Sequence, residues 1–229
     1  EYALKDYKIT NSSTVSNTIL NSSGSNVSFL LKNNLKYSTL NRGFLSKNGN
    51  YINYNNIIET PTSSNNGYIK NLFTVKKYFS SNNSIYGIHG KIGNIFSLNN
   101  NDILTDDKFS LGGRSLRGFD VYGAGPRNSR TSYIGGNNLA VLKLDYSYEI
   151  TRQSDFPFLL NIFNDYGLIW ENKTTPTQSD NNIRSSVGFG IKYYSPVGPI
   201  GFTWGFPIMD EEYDIKRMFL FSVGNLDWS

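Results

Sequence analysis

Apolar and polar residues alternate along most of this chain, and this period of two is the feature that most limits its fold. Between residues 142 and 150 every second side chain is apolar, and the side chains between them are Lys143, Asp145, Ser147 and Glu149. Successive side chains of a strand point to opposite faces, so this segment has one apolar and one charged face. A helical period is nearly absent. The sequence therefore predicts an all-β fold.

The alternation predicts ten strands. Their approximate bounds are 1–10, 26–40, 50–60, 68–80, 85–98, 138–152, 156–170, 183–195, 199–208 and 216–228. Many are close to the roughly 9–11 residues that a tilted strand needs to cross a bilayer. Short turns alternate with longer polar loops, such as 11–25 and 171–182, and the segment 99–137 is by far the longest connection. Short turns at one end and long loops at the other are typical of a membrane barrel.

A soluble β-sandwich also alternates, and it is the first alternative. The polar positions carry Lys, Asp, Glu and many Gly, which is typical of a water-filled lumen, and the apolar positions carry aromatic residues near strand ends, which is typical of interfacial girdles. A mean hydropathy of −0.40 excludes neither, because alternating faces average out. The pattern favours an antiparallel transmembrane β-barrel.

The sequence offers little chemistry for an enzyme, and we expect no catalytic residue, metal or cofactor. It contains no Cys and one His, His89, on the polar face of a predicted strand, where a wall residue is the simpler interpretation. No Gly-x-Ser-x-Gly elbow occurs. The acidic run 210–214 is a weak candidate for a divalent cation and is more simply a solvated loop.

Nucleic acid is also an unfavourable partner. The net charge is only +4, and it is scattered along the chain rather than concentrated. Binding to a single strand of nucleic acid needs a basic groove interleaved with stacking aromatic side chains. Here lysines and aromatic residues lie on opposite faces of the predicted strands.

The long connection and the strands after it carry a series of short motifs. In chain order these are Leu116-Arg117-Gly118-Phe119, Gly123-x-Gly125-Pro126-Arg127, Gly135-Gly136-Asn137, Phe163-Asn164-Asp165-Tyr166-Gly167, Ser195-Pro196-Val197-Gly198-Pro199 and Phe219-x-Phe221-x-Val223-Gly224. Alone, Arg-Gly-Phe is typical of a solvated loop, and the glycine spacing does not fit a phosphate-binding loop. The order of all six is far more specific than any one of them.

Together these motifs resemble the barrel of the BamA-like outer-membrane protein assembly superfamily. Its relatives include the mitochondrial sorting-and-assembly barrel, the chloroplast import barrel and the two-partner-secretion transporters. The resemblance covers the chain from about residue 26, including a turn at Leu40 to Gly49 that lacks the family's Pro. It implies that residues 1–229 are the C-terminal portion of a sixteen-stranded barrel that normally follows periplasmic POTRA repeats.

The resemblance also implies roles for single residues. Loop 99–137 would fold into the lumen, where Arg117 would meet Asp165, with Asp145 nearby. Both aspartates fall on polar strand faces, and a lumenal guanidinium needs carboxylates. We call this expected contact the lock. The last strand would form a weakly paired seam with the first strand, and its family residues are Phe219, Phe221 and Gly224.

The implied function is that of an outer-membrane insertase that acts without ATP and adds client strands at the seam. Its expected partners are client outer-membrane β-barrel proteins, the lipid bilayer and accessory assembly lipoproteins. A Gram-negative-type outer membrane is favoured over an organellar one. The alternatives are a two-partner-secretion transporter, in which the loop plugs a pore, and a porin-like channel or surface lipase-like enzyme.

Overall fold

The structure is a computed structural model that describes residues 2–7, 24–41, 45–61, 67–99, 102–129, 132–151, 156–171, 181–195 and 198–224. Residues 2–7, 24–28 and 128–129 are described by their backbone alone. Within these ranges the chain forms strands and no helix, so no helix long and apolar enough to span a membrane is found there.

Fourteen strands are present in the described residues. Ten strands form the wall, with the short β1 and β14 at its two edges. They are β1 (Tyr2–Tyr7), β2 (Gly24–Ser38), β3 (Gly49–Glu59), β4 (Tyr68–Ser81), β5 (Ser84–Ser97), β9 (Asn138–Glu149), β10 (Phe158–Trp170), β11 (Arg184–Ser195), β12 (Gly198–Met209) and β14 (Phe219–Val223). The other four are short loop strands: β6 (Gly118–Phe119), β7 (Arg127–Ser129), β8 (Ser132–Tyr133) and β13 (Lys216–Arg217).

The ten wall strands form one antiparallel sheet in chain order, interrupted only where the short loop strands intervene. This confirms the predicted all-β antiparallel wall of about ten strands. The first and last strands, β1 and β14, do not pair with each other, so the described wall is a partial barrel that is not closed. We call the two ends of the wall the loop end, where segment 98–137 lies, and the turn end, where the hairpin at 82–83 lies.

The two faces of the wall differ as a membrane barrel requires, with polar side chains facing inward and apolar side chains facing outward. On β9 the side chain of Lys143 is 3% exposed, whereas the neighbouring Leu142 is 42% exposed. Aromatic rings stand outward and pack across strands, as Phe189 does against Trp204 with ring centres 5.4 Å apart. A sandwich would bury its apolar faces, so this arrangement excludes the soluble alternative.

The main hydrophobic cluster lies inside the wall, between the long loop and the inner surface. Leu111, Leu116, Phe119 and Ala124 of the loop are all buried there. They pack with inward side chains of the wall, among them Val141. The loop therefore supplies the apolar core that an inward-facing polar wall lacks.

The last predicted strand differs from the observed one. Residues 216–217 leave the wall and pair with β6 of the long loop, so the wall strand begins at Phe219 rather than at 216. Gly224 has a φ of +85° and ends the strand. Residues 225–229, the turn residues Pro196 and Val197, and most of the predicted loops 11–25 and 171–182 lie outside the described residues.

Candidate functional site in the lumen

Strand β10 places three motif residues on the inner wall. Phe163, Asp165 and Gly167 occupy alternate positions, and Asp165 is fully buried. The register pairs Asp145 of β9 with Phe163, one step from Asp165 along the same face. The two carboxylates are therefore diagonal neighbours across a strand pair, close enough for one long side chain to reach both.

Arg117 of the loop reaches both carboxylates. Its Nε and Nη2 atoms donate to the two oxygens of Asp165 at 2.7 and 2.5 Å, and Nη1 and Nη2 donate to those of Asp145 at 2.8 and 3.2 Å. The backbone N–H of Arg117 also donates to Asp165, at 3.1 Å. The guanidinium thus makes two forked, charge-assisted contacts, the geometry for which arginine is suited.

The surroundings keep this guanidinium charged although it is buried. Burial lowers the pKa of Arg117, but the nearby carboxylates of Asp145 and Asp165 raise it, and the net pKa lies above the ordinary value. The ring of Phe163 lies beneath the guanidinium, with Cζ 3.5 Å from the ring centre, which adds a cation–π contact. The structure therefore brings Arg117, Asp145, Asp165 and Phe163 into one cluster.

Glycines of both motifs allow the loop to approach the wall. A Cβ atom at Gly205 of β12 would lie 2.7 Å from the backbone N of Gly118, which itself has a φ of +91°. A Cβ atom at Gly167 would lie 2.9 Å from the side chain of Leu111. Larger residues at these positions would force the loop away from the wall.

A second set of contacts holds the loop from the opposite side. Backbone pairing joins β6 to β13, and Asp120 forms an exposed ion pair with Arg217 at 3.2 Å. Asp214 forms a buried ion pair with Arg184 of β11 at 2.9 Å, so this part of the acidic run is not solvated. No group of three potential metal ligands occurs in the described part of the chain.

Three residues of this region were not singled out by the sequence. Lys143 donates to the backbone oxygen of Arg114 at 2.5 Å and lies 4.0 Å from Asp165, and Asn161 donates to Asp145 at 3.3 Å. Arg184 is the third. Alternation identifies all three as inward-facing polar residues, but their partners depend on strand register and on the path of the loop, which the alternation does not specify.

The predicted seam residues lie apart from this cluster, at the last strand. The rings of Phe219 and Phe221 face outward and pack against Trp204 and Phe202 of β12, with ring centres 5.3 and 5.2 Å apart. Strand β14 pairs only with residues 200–204 of β12, so residues 206–209 have no neighbouring wall strand on that side in the described chain. Gly224 donates its backbone N–H to Pro199 at 2.9 Å.

At the turn end, the connection between β2 and β3 folds across the lumen. Leu45 packs on a cluster that contains Ile85, Leu159 and Tyr194, and Lys47 pairs with the buried Glu149 at 2.6 Å. Residues 42–44 of the turn motif lie outside the described residues. This connection therefore packs against the inner wall at the turn end, and the long loop packs against it at the loop end.

The sequence is similar to a known protein family and to several known proteins. The Omp85 superfamily domain matches residues 1–226. Outer membrane protein assembly factor BamA of Nitratidesulfovibrio vulgaris is 28% identical over 144 residues, which cover 60% of this chain and 18% of that protein. A SAM50-like protein of Schizosaccharomyces pombe is 29% identical over 160 residues, which cover 66% of this chain and 34% of that protein.

A third relative and one solved structure agree with these matches. BamA of Neisseria meningitidis is 25% identical over 138 residues, covering 48% of this chain and 17% of that protein. The crystal structure of BamA from Haemophilus ducreyi lacking POTRA domains 1–3 superimposes with a TM-score of 0.74 at 23% identity, covering 86% of this chain and 42% of that chain. At that identity the likeness shows the fold alone. The chain spans about a third or less of the length of the curated relatives.

Proposed function

This chain belongs to the Omp85 superfamily and to an outer membrane, and from that premise we propose that it is part of an insertase for β-barrel proteins. The relatives named as assembly factors of outer-membrane proteins support the general class. The proposed substrates are unfolded outer-membrane β-barrel proteins, and the proposed membrane is that of a Gram-negative-type envelope. The match to a yeast protein keeps an organellar outer membrane as the alternative.

The observation that carries this proposal is the half-paired edge of β12. Strand β14 covers only its turn-end half. On the side away from β11, the backbone groups of residues 206–209 therefore face no wall strand in the described chain, and among these residues only Pro207 has no N–H. Such an edge is a template for an incoming strand. Hydrogen bonds formed there, and burial of the client in the bilayer, would drive insertion without ATP.

In this proposal the lock sets the position of the loop beside that edge. Arg117 holds the loop to β9 and β10, and the contact of Gly118 with Gly205 brings the loop against β12 itself. We propose that residues 1–229 form the C-terminal portion of a sixteen-stranded barrel. Accessory assembly lipoproteins are its proposed further partners, and no catalytic group, metal or cofactor takes part.

A two-partner-secretion transporter is the second candidate, because the loop packs into the lumen as a plug would. A porin-like channel is less favoured, since the loop and the Leu45 connection pack against the inner wall and narrow the lumen. Ion conductance of the full-length protein in planar bilayers separates these candidates: an insertase with this lumen conducts little, whereas a porin conducts steadily.

Site-specific photocrosslinking tests the insertase. A photoreactive residue replaces Ile208, on the unpaired half of β12, and in a matched variant it replaces Ile162 in the middle of the wall. Both side chains face outward and have nearly the same exposure, 59% and 58%. The full-length protein in liposomes receives an unfolded client barrel without ATP. We expect client crosslinks at position 208 and not at 162. Equal crosslinking at both positions would contradict the proposal.

A further inference from the structure

The inner face of β2 to β5 carries several lysines, and these four strands contain few acidic residues. Lys32, Lys36, Lys76 and Lys91 all stand at inward positions of these strands, and we call them the basic face. Glu59 is the only acidic residue of the four strands, and it is buried at the loop end of β3. This differs from β9 and β10, where the inward Asp145 and Asp165 are matched by Arg117.

The lysines of the basic face converge rather than spread apart. The ammonium groups of Lys36 and Lys76 lie 5.3 and 5.4 Å from the ring centre of Tyr51, one from each neighbouring strand. Lys91 lies opposite Thr74 on β4, two residues from Lys76 on the same face, so the two lysines are diagonal neighbours. In the ranges described, neither Lys36 nor Lys91 forms an ion pair with a carboxylate. Like charges gathered on one face of a protein raise the local concentration of anions.

One residue between these lysines points to a ligand that also donates hydrogen bonds. Asn53 lies opposite Lys36 on β2 and opposite Thr74 on β4, and its side chain is only 8% exposed. Its Oδ1 atom is buried and has no hydrogen-bond partner. A buried acceptor without a donor is costly, so a bound group with an N–H would stabilise this site.

These two requirements identify the class of ligand. Inorganic phosphate and a lipid phosphate offer mainly acceptor oxygens, which suit the lysines but not Asn53. A polypeptide with Asp or Glu side chains offers carboxylates for the lysines and backbone N–H groups for Asn53. The basic face crosses three strand spacings, about 14 Å at about 4.8 Å each, which equals roughly four residues of extended chain.

We propose that the basic face binds an acidic segment of polypeptide in an extended conformation. The inference rests on the proposed function, because it supplies a lumenal contact for the client chain. Binding holds the segment against the inner surface of β2 to β5.

Peptide binding to the full-length protein in nanodiscs tests the inference. The probe is a fluorescent eight-residue peptide that alternates Asp and Thr, compared with a peptide in which Asn replaces every Asp. The test variant combines Lys36→Gln with Lys91→Gln, and a second variant is Asn53→Leu. The matched control is Lys77→Gln, because Lys77 is next to Lys76 on β4 but faces the opposite side of the wall.

We expect the acidic peptide to bind the unmodified protein and the Lys77→Gln control equally, and the double lysine variant about tenfold more weakly, with weaker binding at high salt. The Asn53→Leu variant should weaken binding by about fivefold without changing its salt dependence. Competition by millimolar phosphate as strong as that by the peptide would instead indicate an anion site and overturn the proposal. Equal binding of the Asn peptide would also overturn it.

Client insertion by the same nanodisc preparations is measured in parallel. Insertion that proceeds in the absence of peptide binding would reject the basic face and leave the insertase intact. Peptide binding in a protein that inserts no client would support the basic face and reject the insertase. The binding measurement can therefore reject the basic face without rejecting the proposed function, and the insertion measurement can do the reverse.

Discussion

At the scale of single residues, the contribution of each ion pair to stability depends on whether its charges are buried. Arg117 and Asp165 are almost fully withdrawn from water, and each is held by several charge-assisted hydrogen bonds. Removing one partner of a buried pair leaves the other uncompensated, which costs far more than losing an exposed pair. The molecule contains both kinds of pair within the same loop, because Asp120 and Arg217 are largely exposed.

Asp165→Asn should therefore destabilise the barrel by about 3–5 kcal/mol. Asp120→Asn, at the exposed pair, should cost about 1 kcal/mol or less. The measurement is urea unfolding of the refolded full-length protein in lipid vesicles, followed by tryptophan fluorescence. Equal losses for the two variants would show that Arg117 is not effectively buried.

Gly167→Ala tests the fit between loop and wall. The new methyl group would meet Leu111 at 2.9 Å, so we expect a loss of about 1–3 kcal/mol in the same unfolding assay. Gly90→Ala is the matched control, since a Cβ at Gly90 meets nothing within 4 Å and the change should be nearly neutral. Because Leu111→Ala removes a buried side chain and itself costs about 2–5 kcal/mol, the double variant should lose less than the sum of the two single losses. No difference between the two glycine variants would contradict the close packing.

At the scale of elements, the sequence predicted the strands better than their partners. Alternation placed Asp145 and Asp165 on the inner face, and the family motif linked Arg117 to them. Periodicity does not specify the register that makes Lys143 a neighbour of Asp165. It also does not specify the path of the connection after β12, which brings Asp214 to Arg184. Both are set by tertiary contacts, as is the pairing of residues 216–217 with β6 instead of with the wall.

The loop should lose its protection when the lock is broken. Arg114 lies in the segment that Arg117 fixes to the wall, so Arg117→Gln should expose it to trypsin. We expect cleavage at least about tenfold faster than in the unmodified protein, because local opening sets the accessibility. The control is Arg217→Gln, which breaks only the exposed pair with Asp120 and should leave the cleavage rate nearly unchanged. Equal rates in both variants would mean that the lock does not hold the loop.

At the scale of the whole molecule, the decisive property is that apolar side chains face outward. Ile162, in the middle of β10, and Val121, at the surface of the long loop, are equally exposed at 58%. In a protein surrounded by water a lysine would be tolerated at both positions. In a membrane barrel only the loop position meets water.

Ile162→Lys should therefore cost about 2–4 kcal/mol in phospholipid vesicles, because the ammonium group would enter the hydrocarbon layer. Val121→Lys should change stability by no more than about 0.5 kcal/mol, since its surroundings are aqueous. Urea unfolding in vesicles measures both. Since the two positions have the same exposure, a difference between them reports the solvent rather than the packing. If the two variants were equally stable, the outward face of the wall would be in water, and neither the seam nor the basic face would act in a bilayer.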